Sequence, residues 1–155
     1  MIEIRNANKE DFDFYYSLKS EKTAIYWSGF DHAPDKGNME DFWKKNVVNH
    51  SGNRDILILS DNGIDVGYSQ ITHGGEELEY AMGVCEEYRG MNYGGKLIKE
   101  TAKLYPGTTM ISYVREDNIA SQRCLEKNGF IRIMNYTDDS NDNKFKSYKY
   151  MYRGE

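Results

Sequence analysis

The segment EYRGMNYGGKLIKE, residues 87–100, concentrates Arg89, Gly90, Asn92, Gly94 and Gly95 immediately ahead of a helix-compatible run. Glycines inside a helix or strand cost stability, so a loop that bares its amide groups is expected here. Three phosphate-binding patterns compete for it. The dinucleotide fingerprint GxGxxG does not fit the spacing of Gly90, Gly94 and Gly95. GMNYGGK, from Gly90 to Lys96, satisfies GxxxxGK, but Leu97 stands where a P-loop needs its magnesium-holding hydroxyl, which argues against a nucleotide hydrolase. The third pattern is RxxNxG, from Arg89 to Gly94. In it Asn92 and Gly94 are expected to take backbone conformations that most side chains resist, so that the amides of Arg89, Gly90, Met91, Asn92, Tyr93, Gly94 and Gly95 converge beside a helix N-terminus. Such a nest holds a diphosphate without a metal.

Strand, glycine loop and helix must follow one another for this to work. ELEYAMGV reads as the strand that delivers the loop, and GGKLIKETAKLY as the helix after it, with Leu97, Ile98, Thr101, Leu104 and Tyr105 at helical spacing before Pro106-Gly107. Upstream, IEIR alternates as a first strand, and Asn8 can cap a helix over NKEDFDFYYSL with Asp11 three residues on. A second capped helix is expected behind Asn38, with Met39, Phe42, Trp43 and Val47 on one face. Between these two helices, TAIYWSGFDHAPDKG reads as an ordered aromatic loop. DILIL and IDVGYSQIT are joined by Asn62-Gly63, a strong hairpin signal. Downstream come a fifth strand, TMISYV, and a short helix capped by Asn118, with Ala120, Cys124 and Leu125 inward and Gly129 as its left-handed stop. FIRIMNY and FKSYKYMYR, around the polar turn TDDSNDNK, give a closing hairpin.

Composition narrows the function. The formal charge of −5, with 20 Lys and Arg against 25 Asp and Glu, argues against a nucleic-acid binder, and no run is basic. No stretch approaches a membrane span or a secretion signal, so a cytoplasmic protein with no membrane partner is expected. Cys85 and Cys124 lack CxxC spacing, so neither a disulfide nor a metal site is expected. At 155 residues one domain, covering the whole chain, accounts for the length.

With these elements in order, the chain resembles the GNAT superfamily of acetyl-CoA-dependent N-acetyltransferases. Arg89, Asn92 and Gly94 match its loop pattern Q/R-x-x-G-x-G/A, with Asn92 in place of the middle glycine. NIASQRCLEKNGF, Asn118 to Phe130, is similar to the N-x-A-S-x-x-x-L-E-K-x-G-F segment of the branch that includes the ribosomal-protein alanine acetyltransferases. The resemblance implies an α/β (α+β) fold: a central, mixed, mostly antiparallel sheet of about seven strands flanked by about four helices. It also implies acetyl-CoA as co-substrate, no metal, an amine acceptor on a small molecule or a peptide, and a monomer or homodimer.

Family likeness further implies that the sheet splays between LEYAMGV and TMISYV, with backbone near Met82, Gly83 and Val84 pairing with the pantetheine arm. Asn118 and Ser121 resemble residues that touch the coenzyme. Glu79 occupies the position of a frequent general base, but Tyr80 projects to the opposite side, and only one of the two faces the acceptor. The position where many members carry a thiolate-protonating tyrosine holds Leu125. Tyr113 or a tyrosine of the last strand is the substitute, and a non-catalytic acyl-CoA-binding module is the alternative. Tyr26, Trp27, Phe30 and Tyr148 are expected to wall the acceptor pocket, where stacked aromatics suit a cationic amine.

Overall fold

Seven alternating segments pair into one sheet in the computed structural model, which describes residues 1–138 and 145–154. The strands are β1 (Ile2–Asn6), β2 (Arg54–Asp61), β3 (Ile64–Thr72), β4 (Leu78–Val84), β5 (Thr109–Arg115), β6 (Ile131–Asp138) and β7 (Phe145–Arg153). Their order is β1-β2-β3-β4-β5-β7-β6, and only the β4–β5 pair is parallel. The β2–β3 hairpin turns on Asn62 and Gly63, both at positive φ (52° and 82°), as the primed turns of tight hairpins require. Of the polar turn between β6 and β7, residues 139–144 lie outside the described residues.

Five α-helices flank the sheet among the described residues, one more than expected: α1 (Phe12–Lys19), α2 (Lys22–Trp27), α3 (Lys36–Trp43), α4 (Tyr93–Leu104) and α5 (Ile119–Lys127). The extra one is α2, which forms within the segment read as an aromatic loop and ends at Gly29 (φ 85°). Asn8 caps a 3-10 turn, Lys9–Asp11, that leads into α1. Its side chain accepts from the Glu10 N–H while Asp11 accepts from the Asn8 N–H, and Arg5 holds the Asp11 carboxylate at 2.6 and 2.9 Å. The cap of α3 is Asp35, not Asn38: the Asp35 carboxylate accepts from the Asn38 N–H at 2.8 Å, so the helix starts three residues earlier than the apolar pattern does. Leu104 and Ala120 are exposed instead of inward.

The sheet divides the core in two. On one face, Tyr15 and Leu18 of α1 and Trp43 of α3 pack on Ile56, Ile58 and Tyr68. On the other, Ile98 of α4 and Leu125 of α5 pack on Ile71, Leu78, Tyr80, Met110, Val114 and Tyr150. Side chains alternate across a strand, so each β4 or β5 residue belongs to one face only. That alternation decides which candidates can meet.

Candidate active site

Beyond Val84 the chain makes a single 3-10 turn, Glu86–Tyr88, and then the glycine segment. Gly90 (φ 81°) and Asn92 (φ 67°) are left-handed, whereas Gly94 is not: it and Gly95 sit in the first turn of α4. What forces glycine at 94 is space, because a Cβ there would stand 2.9 Å from Cys124 Sγ and 3.6 Å from Met82 Cε. The Arg89 N–H donates to Glu86 O at 3.3 Å, so the expected amide row starts one residue later than Arg89. Among the described residues, the N–H groups from Gly90 to Gly95 have no hydrogen-bond acceptor, and the first helical bond is Lys96 N–H to Asn92 O at 3.3 Å. Free amides and the positive end of a twelve-residue helix coincide here, which makes an anion seat.

Two side-chain contacts brace this loop. Tyr93 Oη donates to Asp61 Oδ2 of the β2–β3 hairpin at 2.6 Å. Glu21, just before α2, accepts from the Glu86 N–H at 3.2 Å and pairs with Arg89 Nη2 at 3.8 Å. Met91 stays exposed. The braces Asp61 and Glu21 carry no local signal, since their partners are 32 and 65 residues away in sequence.

Beside the loop the sheet opens. β4 and β5 pair only at Leu78↔Met110 and Glu79↔Ile111, although β4 continues to Val84 and β5 to Arg115. From Tyr80 onward, through Met82, Gly83 and Val84, one edge of β4 faces a gap, while its other edge stays paired to β3. An extended chain entering the gap finds backbone donors and acceptors there. Gly83 has a packing reason too: a Cβ would stand 2.6 Å from Tyr68 Cε1 and 2.9 Å from Leu18 Cδ2.

Alternation separates Glu79 from Tyr80. Glu79 is exposed on the α1/α2 face, opposite Ile111, and Tyr113 lies two residues further along β5 on that same face, 42% exposed with Lys149 Nζ 6.0 Å over its ring. Tyr80 is 1% exposed on the α4/α5 face, its phenol 2.9 Å from Ser69 Oγ. Tyr80 is therefore buried on the face opposite Glu79 and Tyr113.

On the α1/α2 face, the end of β5 reaches α2. Arg115 Nη1 donates to Tyr26 O at 2.9 Å, and its guanidinium lies 4.7 Å over the Tyr26 ring and 5.3 Å over the Trp27 ring. Nε and Nη2 grip Asp117 at 3.1 and 3.0 Å, and Tyr26 Oη donates to Asp117 at 3.2 Å. Arg115 holds the Asp117 carboxyl below its usual range. The aromatic pair expected to stack on a cationic amine thus already carries a cation of its own chain. Phe30 is exposed, 6.2 Å from His32, which pairs with Asp31. Tyr148 is not brought together with them: it pairs with Val114, packs on the α4/α5 core and carries Arg132 4.3 Å over its ring, across the sheet from Tyr26 and Trp27.

Comparison with known proteins bears on this arrangement. Residues 2–131 match the model of the acetyltransferase (GNAT) domain. The chain belongs to the GNAT acetyltransferase family. GNAT membership makes it an enzyme class that takes its acetyl group from acetyl-CoA. No curated protein matches the chain in sequence. Among solved structures, the spermidine N-acetyltransferase of Vibrio cholerae, in complex with CoA and spermine, superposes with TM-score 0.84 at 13% identity over 99% of this chain and 95% of that one. An aminoglycoside acetyltransferase with ribostamycin and coenzyme A gives 0.79 at 17% over 98% and 93%. An N-acetyltransferase of Staphylococcus aureus gives 0.78 at 18% over 99% and 98%.

The second GNAT motif forms the start of α5. Asn118 Oδ1 accepts from the Ser121 N–H at 3.2 Å, and Gln122 Nε2 ties the helix to Arg115 O and Glu116 O at 3.0 and 2.9 Å. Gly129 (φ 98°) ends the helix as expected. Leu125, at the position expected for a GNAT tyrosine, is 2% exposed and part of the core beside Phe130 and Tyr150. Both cysteines are free thiols, and among the described residues no cluster of His, Cys, Asp or Glu fits a metal. No described helix is long and apolar enough to cross a membrane.

Proposed function

We propose that this GNAT domain transfers the acetyl group of acetyl-CoA directly to a primary amine, on a small molecule or a peptide N-terminus, within a ternary complex. The observation that carries the reading is the row of unpaired N–H groups from Gly90 to Gly95 beside the opened edge of β4. The row suits a diphosphate, the family resemblance of Asn118–Phe130 adds Asn118 and Ser121 as coenzyme contacts, and the edge from Met82 to Val84 suits the amides of a pantetheine arm. When bound, acetyl-CoA supplies an activated thioester carbon.

Attack requires a neutral amine. For an alkylamine of pKa near 10.4, deprotonation at pH 7 costs roughly 4.6 kcal/mol, against about 1 kcal/mol for an α-amine near 7.8. Glu79, exposed on the acceptor face, takes that proton directly or through water. As the C–N bond forms and the C–S bond breaks, a β4 N–H at the gap faces the carbonyl oxygen and is worth on the order of 3 kcal/mol. The leaving thiolate is protonated by water or by Tyr113 on the same face.

A small, multiply charged amine is favoured by the net charge of −5 and by the spermine and ribostamycin held by two structural relatives. The branch resemblance in Asn118–Phe130 favours a peptide N-terminus instead. Incubating the protein with acetyl-CoA and spermidine, an aminoglycoside or an alanine-initiated peptide, while following free thiol, decides between them. Tight coenzyme binding with no thiol release from any amine would favour the acyl-CoA-binding module, whose support is the buried Leu125.

A further inference from the structure

Three hydroxyls from three elements meet inside the α4/α5 core. Thr101 of α4 and Ser69 of β3 are 0% exposed and Tyr80 of β4 is 1% exposed. Thr101 Oγ1 donates to Ser69 Oγ at 2.8 Å, Ser69 Oγ lies 2.9 Å from Tyr80 Oη, and Tyr80 Oη reaches Met82 Sδ at 3.6 Å. Each hydroxyl has one proton. With Thr101 giving its proton to Ser69 and the phenol giving its own to sulfur, Ser69 gives to Tyr80, and the chain runs one way with every donor used. Burial holds the phenol well above its ordinary pKa, so it stays protonated in this chain.

Packing alone does not call for this arrangement, because apolar isosteres would fill the same volume without burying polar atoms. Its location is what stands out. Tyr80 is the first β4 residue past the last pair with β5, and Met82, where the chain ends, lies under Gly94 in the first turn of α4. The relay starts on α4, crosses β3 and β4, and returns to the N-terminus of α4.

We propose that Tyr80 is a positioning residue: with Ser69 and Thr101 it fixes the spacing between the opened edge of β4 and the amide row of α4, so that pantetheine and diphosphate are held at once. This rests on the coenzyme reading above. Binding of two ligands is to be measured by calorimetry: CoA, and 3′-phosphoadenosine 5′-diphosphate, which carries the same nucleotide and diphosphate without pantetheine.

Losing one buried hydroxyl link is expected to weaken CoA binding roughly tenfold in Tyr80→Phe and in Thr101→Val, while the nucleotide stays within about twofold in both. Thr101→Ser, which keeps the donor, is expected to restore CoA to within about twofold of wild type. A purely structural role would lower Tm and shift both ligands equally or neither, and either result overturns the proposal, as does failure of Thr101→Ser to rescue. Wild-type protein that bound neither ligand would overturn the coenzyme reading itself. CoA affinity kept in both Tyr80→Phe and Thr101→Val would overturn the positioning role alone.

Discussion

The two sides of the β4–β5 gap are built from different materials. On the α4 side the groups offered to a ligand are main-chain N–H groups, and the side chains around them, Tyr93 and Glu21, serve to hold the loop. On the α2 side the groups are side chains, and they are already engaged with each other: Arg115 with Tyr26, Trp27 and Asp117. Backbone cannot be substituted away, so on the proposed function the first side is committed to one ligand chemistry, while the second, proposed to face the acceptor, can change it by exchanging a few side chains. The largest effect is therefore expected from a charge placed among the amides. Gly94→Glu puts a carboxylate where a diphosphate would lie and fills the space against Cys124, and CoA affinity should fall more than about a hundredfold with the fold intact by circular dichroism. Unaltered CoA binding by that variant would break the comparison at its first term.

A smaller effect tests the acceptor side. If Glu79 takes the amine proton, Glu79→Gln should slow acetylation of an alkylamine at pH 7 by on the order of a hundredfold and leave CoA affinity unchanged. The defect should shrink above about pH 9, as more of the amine deprotonates in solution, and should be slight throughout for an α-amine. A pH-independent defect, equal for both amines, would assign Glu79 to acceptor binding rather than to proton transfer.

How much of this was legible in the sequence follows the same division. Features decided within a few residues were readable: the Asn62-Gly63 turn, the caps at Asn8 and Asn118, the stop at Gly129 and the left-handed Asn92. The amide row was readable because glycine content is a local statement about backbone. Gly94 was expected at an unusual backbone conformation, but its closeness is to Cys124, 30 residues away in the chain and visible only after α5 packs on α4. Alternation along β4 split Glu79 from Tyr80 without saying which lay buried, because that depends on which helices cover the sheet. The same lack of register grouped Tyr148 with Tyr26 and Trp27, from which the sheet separates it. The six-residue α2 has no side-chain cap, and its Tyr26 carbonyl accepts from Arg115 of β5, a tertiary contact no local pattern reports.

The smallest effect separates the two sides by pH. Arg115 depresses the Asp117 pKa in the folded state, so that pair contributes stability that is present above the unfolded value near 3.9 and is lost as pH falls through the lower folded value. Asp117→Asn removes this contribution and should flatten the fall in urea midpoint between about pH 5 and pH 3 relative to wild type. Main-chain N–H groups do not titrate, so the same variant should bind CoA within about twofold of wild type at pH 7, whereas KM for the amine should rise several-fold as Tyr26 and Trp27 lose the anchor of Arg115. The gain expected in the urea profile is modest because Asp117 is largely exposed to solvent, where an ion pair is worth little. A change in CoA affinity as large as the change in amine KM would mean that the two sides of the gap are mechanically coupled, through the Glu21 contact between the start of α2 and Arg89.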